Sequence, residues 1–184
     1  KNTYRAQSEA VLECMPTAYI PMLETAEIVS RRYNISREVQ DQYALQSQQR
    51  TAAAQAEGLF ADEIVPLAAR KLCFDKEGKP AGHQDVIADR DECNRPSTTL
   101  EDLSSLKPVW KDGKWIEQGE FITAGNASQF SDGAAAVLLM SRGEARQRGI
   151  EALGVYRGIA VSGCAPEEMG IGPVYAIPKL LKRF

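Results

Sequence analysis

The sequence is short of histidine, of positive charge and of long apolar runs, and each shortage excludes a class of protein. Its single histidine, His83, is unusually few for an enzyme that works by proton transfer. The formal net charge of -3 and the pI near 5.4 argue against a nucleic-acid partner, which needs clustered positive charge. No apolar run is long enough to cross a bilayer, and no secretory apolar region lies near Lys1, so no membrane association is expected.

Cysteine is present but scattered. The four cysteines (Cys14, Cys73, Cys93 and Cys164) form no C-x-x-C pair, which argues against a zinc knuckle and a redox dithiol. An even number of cysteines permits disulfides, but without a signal peptide we favour reduced thiols in a cytoplasmic compartment. The sequence therefore predicts no metal site.

Size and composition are those of an ordinary globular protein. The 184 residues are 43% hydrophobic and 26% charged, which is enough to bury a sizeable core in one large domain or in parts of two. Both ends resemble cuts in a longer chain. There is no initiator Met, and a final amphipathic helix over Ala176–Phe184 lacks a Gly or Asn stop signal.

The first half of the chain predicts two helices. Thr25–Arg32 has the apolar spacing of a helix. Ser36 is placed to cap a second, longer helix, because its hydroxyl can accept from a free N–H of the first turn. That helix should end at Gly58, since glycine is the usual residue just past a helix terminus.

The middle of the chain predicts a strand, a polar segment and a short helix. Glu63–Phe74 carries β-type apolar residues and leads to a turn at Glu77–Pro80. Residues 80–97 are polar and without clear periodicity, which predicts a surface excursion. Thr98 or Thr99 then starts a short helix, and Trp110–Gln118 is a loop with a turn at Asp112-Gly113.

The last third has the texture of a layered α/β protein. Ala134–Met140 is a continuous apolar run, typical of a strand covered on both faces. Ser141 and Glu144 form a capping box for a helix that ends at Gly149. Leu153–Val161 is a second strand candidate before the final helix.

Two glycine-containing stretches are more specific than this general pattern. Residues 123–128 read Thr-Ala-Gly-Asn-Ala-Ser and lead into Ser-Asp-Gly-Ala-Ala-Ala at 131–136. Residues 169–173 read Met-Gly-Ile-Gly-Pro and precede Ala176. Each has a structural explanation, since Gly and Asn favour turns and Pro173 suits the first turn of a helix. A structural role and ligand contact are compatible, so both interpretations stay open.

In this order the stretches resemble the signature segments of the thiolase family. Residues 35–48 also resemble the family's insertion-domain helix, as does Met22 followed by Thr25-Ala26-Glu27. The resemblance runs from about Met22 to Phe184. It implies an α/β, thiolase-like fold with a loop (insertion) domain and part of the layered αβαβα core. Residues 1–130 would be the loop domain that covers coenzyme A, 131–152 the end of the N-terminal core half, and 153–184 the start of the C-terminal half.

The resemblance implies acyl transfer between coenzyme A thioesters through an acyl-cysteine, either cleaving 3-ketoacyl-CoA or forming acetoacetyl-CoA. That chemistry needs a nucleophilic cysteine, a Gly-His-Pro histidine and a Cys-x-Gly-Gly-Gly cysteine. Gly82-His83-Gln84 lacks the proline, and no Gly-Gly-Gly follows Cys164. We therefore predict no catalytic residue in this chain and no activity for it alone. Coenzyme A or acyl-CoA would be a substrate, with no covalently bound cofactor.

By resemblance, five residues would contact coenzyme A. Arg95 would lie near its adenine and phosphates, Ser128 would bond the pantetheine chain, Ala124 and Leu106 would line that tunnel, and Met22 would flank the acyl pocket. A plain structural interpretation also exists, in which Arg95 is a solvated surface charge and Leu106 and Met22 belong to the core.

Two positions depart from the family pattern. Pro21 replaces a histidine that precedes the methionine in some members, which implies a different acyl pocket. Asp102 stands where some members have a serine that contacts coenzyme A, and an acidic side chain is unhelpful beside phosphates.

The resemblance also implies a homodimer or homotetramer that works in fatty acid metabolism. One alternative is a non-catalytic thiolase-like protein that binds acyl-CoA or lipid. Another is an unrelated α/β domain, which would have a self-contained sheet within these residues.

Overall fold

A computed structural model of the chain describes residues 7–129 and 133–184. It contains helices α1 (Glu9–Cys14), α2 (Met22–Arg32), α3 (Arg37–Ala56), α4 (Leu100–Ser105), α5 (Arg142–Gln147) and α6 (Gly172–Leu181), strands β1 (Leu67–Phe74) and β2 (Pro80–Ala88), and 3₁₀ helices at Ala61–Glu63 and Pro166–Ile171. The chain divides into two compact units. Unit 1 comprises residues 1–37 and 107–184, and unit 2 comprises residues 38–106.

Helix α3 occupies most of the first part of unit 2 and ends as predicted. Gly58 has φ of +71°, the left-handed conformation that glycine adopts most easily. Its N–H donates to the Gln55 carbonyl at 3.1 Å, and the Leu59 N–H donates to the Ala54 carbonyl at 3.0 Å. These two bonds form a Schellman motif, so the predicted helix and its terminus are confirmed.

Strands β1 and β2 form an antiparallel hairpin in unit 2, with Leu67 opposite Ala88. Its turn is held by Asp75, whose Oδ1 accepts from the N–H groups of Glu77 and Lys79, both at 2.9 Å. Strand β2 lies in the segment predicted as a surface excursion. The segment is on the surface as predicted, but its strand was not predicted. Most residues of the hairpin are exposed, and a strand with no buried face shows no apolar alternation.

Helix α4 begins with a complete capping box. The Thr99 Oγ1 accepts from the Asp102 N–H at 3.1 Å, and the Asp102 Oδ2 accepts from the Thr99 N–H at 3.0 Å. The helix buries Leu103, while Leu106 follows its last turn. The predicted start at Thr99 is confirmed.

In unit 1, helix α2 packs against the segment between Lys107 and Thr123. Short bridges at Pro108–Thr123 and Lys111–Gln118 fold this segment into a narrow loop. Asp112 has φ of +58°, which confirms the predicted turn. Both tryptophans of the sequence, Trp110 and Trp115, lie in this loop.

The two apolar segments of the last third form no strand in the described part of the chain, so both strand predictions are wrong for this structure. Val137, Leu138 and Leu139 are 76–81% exposed, and Leu153–Val161 lies largely on the surface. A strand requires a hydrogen-bonded neighbour, and these segments pair with none among the described residues. Ser131 and Asp132 lie outside the described residues.

The helices predicted in this third are present. Ser141 caps α5 by accepting from the Glu144 N–H at 3.2 Å. The Glu144 carboxylate pairs with Arg148 four residues later, so only half of the predicted capping box forms. Helix α6 starts at Gly172, four residues earlier than predicted, with Pro173 in its first turn.

The buried residues of the described chain are more polar than the composition predicts. The buried apolar side chains are Leu103, Ile116 and Ile122, whereas the buried polar ones are Glu24, Thr25, Glu27, Ser30, Asp41 and Thr123. The expectation of a sizeable apolar core is therefore wrong for these residues, because the most apolar segment stays on the surface.

Candidate functional site

The turn at residues 123–128 is held together by one asparagine side chain. The Asn126 Nδ2 donates to the Phe121 carbonyl at 2.9 Å, and its Oδ1 accepts from the Thr123 N–H at 2.8 Å. The Thr123 Oγ1 also accepts from the Gly125 N–H at 3.2 Å. The side-chain amide carries a donor, Nδ2, and an acceptor, Oδ1, on the same carbon. An ionised carboxylate has no donor, and a hydroxyl has a single oxygen for both roles. The turn is therefore anchored from inside by Thr123, which is fully buried.

The same turn presents two of the five predicted contact residues to solvent. Ala124 and Ser128 are both exposed. The Ser128 hydroxyl donates to the Gln129 carbonyl at 3.1 Å, a bond that a ligand acceptor could replace because it faces solvent. The structure thus brings Ala124 and Ser128 together on one surface turn.

Beneath this turn, the Glu27 carboxylate of α2 binds three consecutive backbone N–H groups. Its Oε2 accepts from Glu120 at 2.9 Å, and its Oε1 accepts from Phe121 at 3.1 Å and Ile122 at 2.8 Å. The side chain is 0% exposed. A buried carboxylate requires such donors, because burying even a neutral polar group without a hydrogen bond costs about 2 to 7 kcal/mol, and an ionised group costs more.

Glu24, one helical turn earlier, binds the other end of the same loop. Its Oε1 accepts from the N–H groups of both Trp115 and Ile116, the second at 2.7 Å. The Ile116 carbonyl in turn accepts from the Trp110 indole N–H at 2.9 Å. Spacing of three residues places Glu24 and Glu27 on one face of α2, so the helix holds the loop at two points.

Two glycines leave room for these carboxylates. A Cβ on Gly113 would lie 2.2 Å from the Ile116 carbonyl oxygen and 2.6 Å from the Glu24 Oε1. A Cβ on Gly119 would lie 2.7 Å from the Glu27 Oε1. All three distances are shorter than van der Waals contact, so each glycine permits the close approach of loop and helix.

Met22 is the first residue of α2 and is 71% exposed. Its carbonyl accepts from the Thr25 hydroxyl at 2.7 Å, and Pro21 stands at the N-cap without a side-chain capping bond. Met22 is therefore not a core residue in this structure. It lies in the same unit as the 123–128 turn.

Arg95 belongs to unit 2 and follows a well-connected asparagine. The Gln48 Oε1 accepts from the Arg95 N–H and from the Asn94 Nδ2, both at 2.8 Å. The Arg95 carbonyl accepts from Thr98, which closes a turn before α4. These bonds fix the backbone of Arg95, while the residue is exposed.

Asp102 lies in the first turn of α4, and Leu106 follows its last residue. The Asp102 carboxylate accepts from both the N–H and the hydroxyl of Thr99, at 3.0 and 2.8 Å. The departure from the family pattern at Asp102 therefore has a local explanation, a helix cap, which the sequence reasoning missed. Leu106 is partly exposed at the end of the helix.

A cluster of polar side chains joins α2 to the 3₁₀ helix Pro166–Ile171. The Glu168 Oε1 accepts from the Tyr33 hydroxyl at 2.8 Å and pairs with Arg32 at 2.9 Å. The hydrogen bond from Arg32, and then that from Tyr33, lowers the pKa of Glu168. The same contact raises the pKa of Tyr33 to about 12. Beside it, the Thr17 hydroxyl donates to Glu167 at 2.8 Å.

The remaining chemically reactive side chains form no site in the described part of the chain. None of the four cysteines forms a disulfide, and His83 is exposed on β2. No group of three or more His, Cys, Asp or Glu among the described residues could hold a metal ion. None of the described helices combines the length and the apolar character needed to span a bilayer.

A cavity of about 710 Å³ lies in unit 2 between the end of α3 and the segment after β2. Phe60, Ile64, Arg90 and Asn94 line it, and the five predicted contact residues are absent from its described lining. The predicted contact residues lie instead on exposed turns and helix ends, three of them in unit 1 and two in unit 2.

Glu24 and Glu27 are the residues of this site that sequence reasoning missed. Glu27 was on a predicted helix and Glu24 directly preceded it, but glutamates at this spacing are common on solvated faces. The additional signal is the pair of glycines in the facing loop, and their closeness to α2 becomes visible only in three dimensions.

Comparison with known proteins identifies the family. Residues 3–143 match the family model described as thiolase, N-terminal domain, which is well over half of the chain. The chain therefore belongs to the thiolase family. The predicted family and the thiolase-like α/β fold are confirmed.

Individual relatives agree with this assignment. The chain is 46% identical over 177 residues to the peroxisomal 3-ketoacyl-CoA thiolase B of Rattus norvegicus, which covers 96% of the chain and 38% of the relative. It is 47% identical over 174 residues to the 3-ketoacyl-CoA thiolase of Bacillus subtilis, covering 94% and 42%. The chain thus spans about two fifths of the length of these relatives.

Solved structures give the same fold. The dimeric peroxisomal thiolase of Saccharomyces cerevisiae is 40% identical with a TM-score of 0.77, covering 96% of this chain and 41% of that one. The human mitochondrial 3-ketoacyl-CoA thiolase in complex with CoA is 42% identical with a TM-score of 0.68, covering 86% and 35%.

The prediction of a cytoplasmic location is wrong. Similar relatives from rat, mouse and human are named as peroxisomal. Scattered cysteines do not separate these compartments, and a peroxisomal address is a short receptor-read signal that leaves the fold unchanged.

Proposed function

We propose that this chain is part of a 3-ketoacyl-CoA thiolase, an acyltransferase of fatty acid metabolism that moves acyl groups between coenzyme A thioesters. The observation that carries the proposal is the identity of 46–47% to enzymes of that name along nearly the whole chain. The reaction would proceed through an acyl-cysteine, in either the cleaving or the condensing direction.

Within that reaction, this chain contributes recognition of coenzyme A. The motifs of the nucleophilic cysteine, the Gly-His-Pro histidine and the Cys-x-Gly-Gly-Gly cysteine are absent from the 184 residues, so the chain alone is inactive. The exposed turn that carries Ser128 is held rigidly from below, which suits a hydrogen bond to a polar chain such as pantetheine. Ala124 offers that chain an apolar neighbour on the same turn.

The remaining contacts are assigned by the same resemblance. Arg95 has an exposed guanidinium on a fixed backbone, an arrangement that suits pairing with phosphate. Leu106 and Met22 are partly or largely exposed, so both are accessible to an apolar part of the ligand. The assembled enzyme is proposed to be a homodimer or a homotetramer, and the dimeric relative from yeast supports an oligomer.

Calorimetry of the 184-residue chain with CoA tests this proposal. Ser128→Ala and Arg95→Ala should each weaken binding by about fivefold or more, since each removes one polar contact of about 1 kcal/mol or more. Ser104→Ala is the matched control for the serine, because Ser104 also bonds a neighbouring carbonyl on the surface. Arg50→Ala, an exposed arginine of α3, is the control for the charge. Equal affinities in all four variants would remove the assignments.

A further inference from the structure

We propose that Glu27 is a positioning residue for the turn at residues 123–128. Through that turn it would hold Ser128 in place for coenzyme A, and this second step rests on the function proposed above. Glu27 is buried and acts through the backbone of the residues that precede the turn.

The connection runs through three adjacent sets of hydrogen bonds. Glu27 holds the N–H groups of Glu120, Phe121 and Ile122. The carbonyl of Phe121, the central residue of these three, accepts from the Asn126 Nδ2. Asn126 in turn accepts from Thr123 and closes the turn. A shift of the Phe121 peptide would therefore move the partner on which Asn126 depends.

A carboxylate is required because both oxygens are used. Oε2 accepts from Glu120, and Oε1 accepts from Ile122, with Phe121 within reach of both oxygens at 3.1 and 3.2 Å. A glutamine at this position would keep one acceptor and turn an amide NH₂ group toward an N–H donor. Two donors facing each other in a buried place cannot both be satisfied.

Glu24 provides a natural comparison on the same helix. The N–H groups of Trp115 and Ile116 both donate to a single oxygen, Oε1. A glutamine has one such oxygen and can therefore retain both bonds. The loop residues that Glu24 holds, Trp115 and Ile116, are more distant in sequence from the 123–128 turn than those that Glu27 holds. Glu24→Gln is thus a matched control: a buried carboxylate of α2 is neutralised in both variants, but only Glu27→Gln disturbs the peptide that Asn126 binds.

The test combines two measurements on the full 184-residue chain. Amide hydrogen exchange, read by NMR, follows the N–H groups of Thr123 and Ala127, which bond within the turn. We expect Glu27→Gln to speed their exchange by about tenfold and to weaken CoA binding in calorimetry by about tenfold, while Glu24→Gln changes either by less than about twofold. Faster exchange localised to the turn separates positioning from general destabilisation.

Three outcomes would overturn the inference: unchanged exchange of the turn amides in Glu27→Gln, faster exchange with CoA affinity retained, or equal effects in Glu24→Gln. If Glu27→Gln fails to fold, Asn126→Asp tests the link from the other end. It keeps the acceptor for Thr123 and loses the donor to Phe121, so an unaltered turn and affinity would also reject the link. If the native chain itself binds no CoA, the proposed function fails, and the exchange measurement alone decides whether Glu27 holds the turn.

Discussion

At the scale of single residues, unit 1 is organised around charged groups placed where small domains usually have apolar ones. Glu24 and Glu27 are 1% and 0% exposed, and each is satisfied by backbone N–H groups of the same loop. Bonds from N–H groups to a carboxylate are about twice as strong as neutral ones. The arrangement gives the loop a defined position although few apolar side chains surround it. It also makes the loop sensitive to any atom added near the carboxylates.

Gly113→Ala should show that sensitivity. The new Cβ would meet the Ile116 carbonyl oxygen at 2.2 Å, so the loop must move and the stability should fall by about 1 to 3 kcal/mol. Gly143→Ala is the matched control, because its nearest neighbour would be 3.9 Å away and alanine favours helix α5 by about 0.5 to 1 kcal/mol. Urea unfolding followed by tryptophan fluorescence measures both, since Trp110 and Trp115 lie in the loop. A stability of Gly113→Ala equal to that of the native chain would contradict the close approach.

At the scale of elements, the 3₁₀ helix Pro166–Ile171 is joined to α2 by polar contacts. Arg32 and Tyr33 both bind the Glu168 carboxylate, and Thr17 binds Glu167. The Met-Gly-Ile-Gly-Pro motif lies directly after these carboxylates and carries the chain into α6. Pro173 thus has the structural role that the sequence allowed, in the first turn of α6. The contacts are exposed to solvent, so their contribution to stability is modest.

The pH dependence of this link has two signs. The pKa of Glu168 is lowered, so its contribution is present above pH 4.5 and is lost as the pH falls through the lowered value. The pKa of Tyr33 is raised to about 12, so its contribution is present below pH 10 and is lost as the pH rises through 12. Absorbance titration of the tyrosines should contain a late component near pH 12 that disappears in Tyr33→Phe.

Two further variants complete the titration. Glu168→Gln should move the late component toward pH 10, because the negative charge that opposes tyrosine ionisation is gone. Tyr43→Phe, which removes an exposed tyrosine of α3, should leave the late component in place. A late component that survives Tyr33→Phe would show that another tyrosine, and not the Tyr33–Glu168 pair, produces it.

At the scale of the whole molecule, a conspicuous surface feature is an apolar run at residues 137–139. Val137, Leu138 and Leu139 are each more than three-quarters exposed and adjacent in sequence. Single exposed apolar side chains are common, but a continuous run marks a surface that associates with other protein. The isolated chain should therefore self-associate.

Leu138→Lys tests this expectation. A charge in the centre of the run should reduce both self-association in sedimentation velocity and the binding of a hydrophobic dye. Val65→Lys is the control, because Val65 is equally exposed at 82% but is not part of the run in sequence. A native chain that sediments as a single monomer and melts cooperatively would contradict the expectation.

Local signals in the sequence predicted the helices well. Thr99, Ser141 and Gly58 each act through bonds to residues within a few positions, so their roles can be read without knowledge of the fold. A strand, by contrast, depends on a hydrogen-bonded neighbouring strand, which the local sequence does not reveal. β2 was missed because its faces are exposed, and Ala134–Met140 was predicted as a strand although no described strand pairs with it.

The sequence by itself determined the family, the long helix and the turn chemistry around Asn126, because each depends on residue identity at short spacing. The tertiary structure decided which charged residues are buried. Glu24 and Glu27 are ordinary helix glutamates until α2 meets the loop that contains Gly113 and Gly119. A carboxylate becomes a structural anchor only where backbone N–H groups converge on it, and that convergence joins residues about ninety positions apart.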